Sequence, residues 1–179
     1  MSIYTIIATS SIKAESDIQK YEKARSLKLH VDAIRRDYFK KMKSGNNLEQ
    51  QLAVTTYLVD KLALRAGGEK DEDLADTVGV CTLRVGHVDF MPPSTLKFDF
   101  LGKDSIRYLQ EHEVDPLVFV AMQKFCKGKK PDHDIFDQID PTKVNKHLQS
   151  LMPGLTIKVF RTYNASYTLN KLLKETTPD

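Results

Sequence analysis

Leu96-Lys97-Phe98-Asp99-Phe100-Leu101-Gly102-Lys103-Asp104-Ser105-Ile106-Arg107-Tyr108-Leu109 is the stretch from which the rest of the chain can be worked out. Leu96, Phe98 and Phe100 alternate with Lys97, Asp99 and Leu101, the period-two pattern of a strand with one covered face. Gly102 to Ser105 has turn composition, and Ile106 to Leu109 reads as the returning strand. Lys103 thus stands at the tip of a well-specified hairpin. A lysine in a turn is ordinarily a solvated surface group. Anything more must come from the rest of the sequence.

Upstream, Val80–Phe90 alternates well enough for another strand, with Cys81, Leu83, Val85 and His87 on one side. Met91-Pro92-Pro93-Ser94 is the turn between it and the hairpin, so three antiparallel strands form a small meander. Further upstream the period changes from two to three and four. Ile18, Tyr21, Ala24, Leu27, Val31, Ile34 and Tyr38 form one apolar stripe on a long helix, with Glu15-Ser16-Asp17 as its cap. Ser44 to Asn47 ends that helix and caps a second one over Leu48–Ala66, which stops at Gly67-Gly68. Arg65 falls in its last turn, where the helix dipole favours a cation. Residues 3–8 are an apolar run of strand composition.

Downstream, Asp115-Pro116 and Asp140-Pro141 are two copies of one start signal, an N-cap aspartate followed by proline at the first helical position. The first of these helices has Phe119, Met122 and Phe125 on its apolar face, and the second ends at Pro153-Gly154. A last helix begins near Thr156 and carries Val159, Phe160, Tyr163, Tyr167 and Leu172. The elements add up to a mainly α protein with one small three-stranded antiparallel sheet, an α+β module.

The 179 residues suffice for one domain with a real core, and 41% hydrophobic with 28% charged residues is ordinary for a globular protein. No apolar run is long enough for a membrane span, and the N-terminus lacks the pattern of a signal peptide. Cys81 and Cys126 are too few for a disulfide framework, which favours a reducing compartment. The net charge of +3 is modest, although basic residues concentrate over Lys20–Lys43 and Lys124–Lys130. The histidines, His30, His87, His112, His133 and His147, have no metal-ligand spacing, and no metal site is expected. Asn164-Ala165-Ser166 matches a glycosylation acceptor with no secretory context. Glycine-rich phosphate loops, nucleophile elbows and paired-carboxylate motifs are missing. What remains is a set of cations at element ends: Arg65, Lys103, Lys158 and Arg161. Guanidinium groups fork onto phosphate oxygens, so two arginines on one site would suit phosphoryl chemistry. Spacing cannot show that they converge.

Four blocks carry a resemblance. Lys61-Leu62-Ala63-Leu64-Arg65-Ala66-Gly67, Ala75-Asp76-Thr77-Val78-Gly79, Phe98 through Tyr108, and Lys158-Val159-Phe160-Arg161-Thr162-Tyr163-Asn164-Ala165-Ser166 closely resemble the eukaryotic type IB DNA topoisomerases. The likeness runs in order along essentially the whole chain. It implies relaxation of supercoiled duplex DNA, without ATP or an obligatory metal or other cofactor, through a 3′-phosphotyrosyl intermediate. It implies that Arg65 and Arg161 hold the transition-state phosphate and that Lys103 protonates the leaving 5′-oxygen. The same resemblance places DNA contacts at Lys20, Arg65, Ala66, Gly67, Gly68, Glu69, Lys70, Thr77, Lys103, Asp104, Thr156, Ile157 and Lys158. Gly68 departs from the asparagine usual in the family.

Two departures weigh more. The family's Ser-Lys-x-x-Tyr nucleophile motif and its catalytic histidine have no counterpart in this sequence, and Tyr163 and Tyr167 are helix residues rather than substitutes. Residues 1–179 are therefore expected to be a partial catalytic core of a nuclear, monomeric enzyme. The N-terminal DNA-clamping lobes and the C-terminal tyrosine segment would come from the same or a second chain. Duplex DNA is the expected partner, and the isolated chain is expected to be inactive. The rival readings are a non-catalytic duplex-DNA-binding module and, from the same arginine–lysine–arginine logic, a tyrosine recombinase.

Overall fold

The computed structural model describes the backbone over residues 3–67, 78–102 and 106–165, and the side chains of those residues from Ile18 onward except Lys20, Tyr21 and Ala24. Its elements are α1 (Ile3–Met42), α2 (Asn47–Leu62), β1 (Val88–Met91), β2 (Thr95–Leu101), β3 (Arg107–Glu113), α3 (Pro116–Cys126), α4 (Pro141–Leu151) and a helix over 157–165, here α5. This is the mainly α, α+β architecture with a single meander. No helix among the described residues is long and apolar enough to cross a membrane.

The apolar stripe of α1 holds from Leu27 onward: Leu27, Val31, Ile34, Tyr38 and Met42 are all buried. Its first member does not hold, because Ile18 is 56% exposed. Residues 3–8 are helical, not a strand, and Glu15-Ser16-Asp17 lies inside α1 rather than capping it. Extending a helix that already exists costs far less than nucleating new structure, so β-branched residues at its end follow the helix.

α2 is the central element, with Gln51 and every residue from Ala53 to Asp60 buried. Asn46 caps it, its side-chain oxygen accepting from the Glu49 N–H at 3.2 Å. A buried carboxylate ties α2 to α1. Asp60 accepts two hydrogen bonds from Arg35, at 3.0 and 3.2 Å, and one from the Tyr38 hydroxyl at 2.9 Å. Three donors on one carboxylate are what make its burial tolerable. Burial, reinforced by that carboxylate, pushes the Tyr38 hydroxyl pKa far up, so it remains a donor.

α2 ends at Leu62, four residues before the expected stop. Ala63 takes the left-handed conformation at φ 53° and returns its N–H to the Val59 carbonyl. The following residues are claimed by distant partners: Val80 N–H donates to the Arg65 carbonyl at 2.7 Å and Cys81 N–H to that of Ala66 at 3.0 Å. The two segments approach so closely that a Cβ on Gly79 would collide with the Arg65 carbonyl and the Gly67 nitrogen.

The meander has the order β1-β2-β3, all antiparallel, with Val88 opposite Phe98 and Phe100 opposite Tyr108. Leu96, Phe98 and Phe100 point into the core while Asp99 and Leu101 face out. Phe100 and Tyr108 stack with ring centroids 4.9 Å apart. The strand expected over Val80–Phe90 is cut to its last residues. Val80–Thr82 and Val85–His87 are single 3₁₀ turns. Their backbone groups bond to a loop instead of a strand: Val85 N–H to His133, Gly86 N–H to Pro131, and the Leu83 carbonyl from Ile135 N–H. The Arg84 N–H goes to His87 Nδ1 at 3.0 Å.

α3 and α4 start as expected. Asp115 accepts from Leu117 N–H and Asp140 from Lys143 N–H, each followed by proline at the first helical position. Phe119, Met122 and Phe125 are buried. α4 leads through Pro153 and Gly154, the latter at φ 78°, into α5. There Thr156 Oγ1 accepts from the Val159 N–H at 3.3 Å, and Val159 and Phe160 enter the core. Tyr167 and Leu172 lie outside the described residues.

Candidate functional site

Four segments that are apart in sequence, one of them Val78-Gly79, meet at one cleft of about 270 Å³. The loop after α2 contributes Ala63, Leu64 and Arg65, α5 contributes Arg161, and the hairpin contributes Gly102, Ile106, Arg107 and Tyr108. Arg65 and Arg161 therefore share a site. Lys103 and Asp104 lie outside the described residues, but both ends of their loop are fixed: Gly102 N–H donates to the Ile106 carbonyl at 2.8 Å, and both residues line the cleft.

Each arginine is held by a different device. Arg65 does not occupy the last turn of a helix, so the dipole explanation of its place fails. It stands in the loop beyond the left-handed Ala63, and its own carbonyl is anchored by the Val80 N–H. Its side chain is exposed. Arg161 is the fifth residue of α5, past its first turn, where the helix's own dipole gives a cation no favourable seat. The carbonyl end of α2 offsets this, because Arg161 Nε donates to the Ala63 carbonyl at 3.3 Å. Asn164 follows one turn later and donates to the carbonyls of Asp60 at 2.9 Å and Val59 at 3.2 Å. The left-handed residue and the two α5 side chains are thus one joint.

Arg107 is a third guanidinium at the cleft, and the sequence reading gave it no role. It forms a two-pronged pair with Asp99 across the hairpin, both contacts at 2.9 Å. The guanidinium's hydrogen bonds hold the Asp99 carboxyl below its ordinary range and the arginine above its own. Both groups are exposed, so the pair ties β2 to β3 locally and adds little to the stability of the fold.

A second cleft gathers the other expected contact segments. Ala66 and Gly67 lie beside Thr156, Ile157 and Lys158, with Thr142 and Asn145 of α4 between them. Lys158 is exposed and Thr156 half-buried. Ile157 borders the cleft but is buried, and its N–H is already donated to Asn145 Oδ1 at 3.0 Å. Ala66 is buried too, and its carbonyl is taken by Cys81. Gly68, Glu69, Lys70, Thr77 and the Lys20 side chain lie outside the described residues.

The sequence reading missed Asn164, Asn145 and Arg107. Only Asn164 carried a usable signal. It sits three residues after Arg161 on a helix, hence on the same face.

Two arginines on one cleft of an α+β core are groups able to fork onto phosphate oxygens. Residues 9–179 match the family model described as eukaryotic DNA topoisomerase I, catalytic core. The chain belongs to that family. It is 56% identical over 174 residues to DNA topoisomerase 1 beta of Arabidopsis thaliana, covering 97% of this chain and 19% of the relative. With DNA topoisomerase 1 of Candidozyma auris the identity is 57% over 165 residues, 92% of this chain and 22% of the relative. With DNA topoisomerase 1 of Homo sapiens it is 53% over 178 residues, 96% of this chain and 23% of the relative. The chain spans about a fifth of the length of these curated relatives.

Proposed function

We propose that this chain is a partial catalytic core that supplies the phosphate-holding and acid groups of a type IB topoisomerase reaction, and that the nucleophilic tyrosine and the catalytic histidine come from other segments. The observation that carries the reading is the convergence of Arg65 and Arg161 on one cleft whose rim is the base of the Lys103 hairpin. In the reaction a tyrosine oxygen attacks a backbone phosphorus, the bond from phosphorus to the 5′-oxygen breaks, and a 3′-phosphotyrosyl bond forms. Arg65 and Arg161 donate to the two non-bridging oxygens as negative charge gathers there. Each such donor is typically worth ~10²–10³ in rate. Lys103 gives its proton to the departing 5′-oxygen. A lysine with an ordinary pKa of ~10.4 is protonated at neutral pH and suits the role of acid. Religation runs the same steps backwards, so neither ATP nor a metal enters.

Around this centre, Lys20, Thr77, Lys158 and the segment from Arg65 to Lys70 hold the phosphate backbone, contacts that position a duplex without reading its sequence. The chain acts in the nucleus as one copy on duplex DNA. Alone it binds DNA weakly and cannot relax it.

The test mixes this chain with a C-terminal piece bearing the Ser-Lys-x-x-Tyr motif and with the N-terminal clamping lobes, then assays supercoil relaxation and covalent DNA attachment. Relaxation should require the whole mixture and disappear with Arg65→Ala, Lys103→Ala or Arg161→Ala. Relaxation by this chain alone would refute the division of labour. Duplex binding that falls steeply with salt, with no cleavage in any mixture, would leave it a DNA-binding module.

A further inference from the structure

We propose that Asn164 is a positioning residue for Arg161, clamping α5 onto the carbonyl end of α2 so that the guanidinium is held at the cleft wall. The inference rests on the reading of the cleft as a phosphate site. The last carbonyls of a helix have no partners within it. For α2 the shortage is acute at Asp60, whose carbonyl would accept from residue 64 if the helix continued, and the left-handed turn at Ala63 prevents that. Asn164 Nδ2 supplies the missing donor to Asp60 and a second one to Val59. One turn earlier on the same face, Arg161 Nε donates to the carbonyl of Ala63.

The geometry is specific to an asparagine amide. Its nitrogen carries two hydrogens and two acceptors lie in reach, a pairing that aspartate, serine or alanine cannot reproduce. Ala63 strengthens the inference. Among the described residues it is the non-glycine residue with positive φ. Such backbone persists where its surroundings over-determine it, and it clusters at functional sites. Here the Ala63 N–H bonds the Val59 carbonyl, its own carbonyl accepts from Arg161, and Asn164 holds the two carbonyls of the turn before it. With Asn164 removed, the end of α2 loses the two contacts nearest to Arg161, and the guanidinium is held less closely at the cleft wall.

The experiment uses the whole chain with Arg161 and Asn164 each changed singly and together. Two readouts are taken: the Nε–H resonance of Arg161 by ¹⁵N NMR, and affinity for a duplex oligonucleotide at low salt by fluorescence anisotropy. Asn164→Ala should move the Arg161 Nε–H resonance and speed its exchange with water. It should also weaken duplex binding about fivefold when Arg161 is present and leave it nearly unchanged in the Arg161→Ala background. Asn164→Gln keeps the amide on a longer stem and should restore part of both signals; it carries the comparison if Asn164→Ala fails to fold. An unmoved Nε–H resonance, or equal loss of affinity in both backgrounds, overturns the proposal and leaves Asn164 a helix cap. If Arg161→Ala itself leaves affinity unchanged, the reading of the cleft is what fails, and the Nε–H resonance alone decides the role of Asn164.

Discussion

Arg161 Nε donates to the carbonyl of Ala63 across 98 residues of chain, and Ala63 is the residue at which α2 turns left-handed and stops. The end of one helix is therefore contacted by a side chain of another. A cation with no favourable seat in its own helix is placed at the carbonyl end of its neighbour.

That seat makes Arg161→Lys a severe change. A lysine ammonium is a point charge without the planar fork that can bond Ala63 and a phosphate together. In the reconstituted mixture, single-turnover cleavage should fall ~10²–10³-fold for Arg161→Lys and for Arg65→Lys alike. A loss below tenfold would show that neither fork touches the transition state.

Gly79→Ala should act on Arg65 from a distance. The added methyl would strike the Arg65 carbonyl and Gly67, so the loop after α2 must move. Cleavage should drop by at least an order of magnitude at temperatures where circular dichroism shows a folded chain. Unchanged cleavage would mean that the close approach of the two loops does not aim Arg65.

Asp60→Ala should destabilise the fold by about 2–3 kcal/mol in urea unfolding, because it strands the Arg35 guanidinium and the Tyr38 hydroxyl. The figure is kept below that for a fully buried pair because Arg35 is one-third exposed. A loss under 1 kcal/mol would show that water replaces the carboxylate.

Stability should fall as pH drops below about 6.5, the ordinary histidine pKa. Burial lowers the pKa of His147, His112 and His87 in the folded chain. For His147, Lys41 adds to burial, and Asp37, whose carboxylate is 3.8 Å away, only partly opposes them. Between the unfolded and the lowered folded values the unfolded chain binds more protons, so stability is complete above that window and is lost as pH falls through it. Asp99 and Asp137, whose pKa values are also lowered, act the same way below the carboxylate range. Urea unfolding at pH 7 and pH 5 should show the loss, and His147→Gln should reduce it. A flat profile would contradict the assignment.

Local physics was enough for the parts of the fold that bond to themselves. The Asp-Pro starts of α3 and α4, the Asn46 cap and the alternation of Leu96, Phe98 and Phe100 involve neighbours in the chain, and each is present as expected. Apart from the N-terminal run that α1 absorbs, the expectations that failed are those where a distant partner outbid a local one. Val80–His87 has strand periodicity, but its backbone groups bond to Pro131, His133 and Ile135. The Lys61-to-Gly67 run has helix composition, yet Val80, Cys81, Arg161 and Asn164 take the carbonyls of its neighbourhood.

By itself the sequence determined the α+β class, most helix starts, the meander and, through long matching blocks, the family. It also nominated Arg65 and Arg161, though only as two cations at the ends of different elements. Their meeting was decided by tertiary structure alone. It depends on where α2 stops, at a left-handed residue whose carbonyl accepts from Arg161 of α5. Hydrogen-bond partners nearly a hundred residues apart leave no periodicity to read.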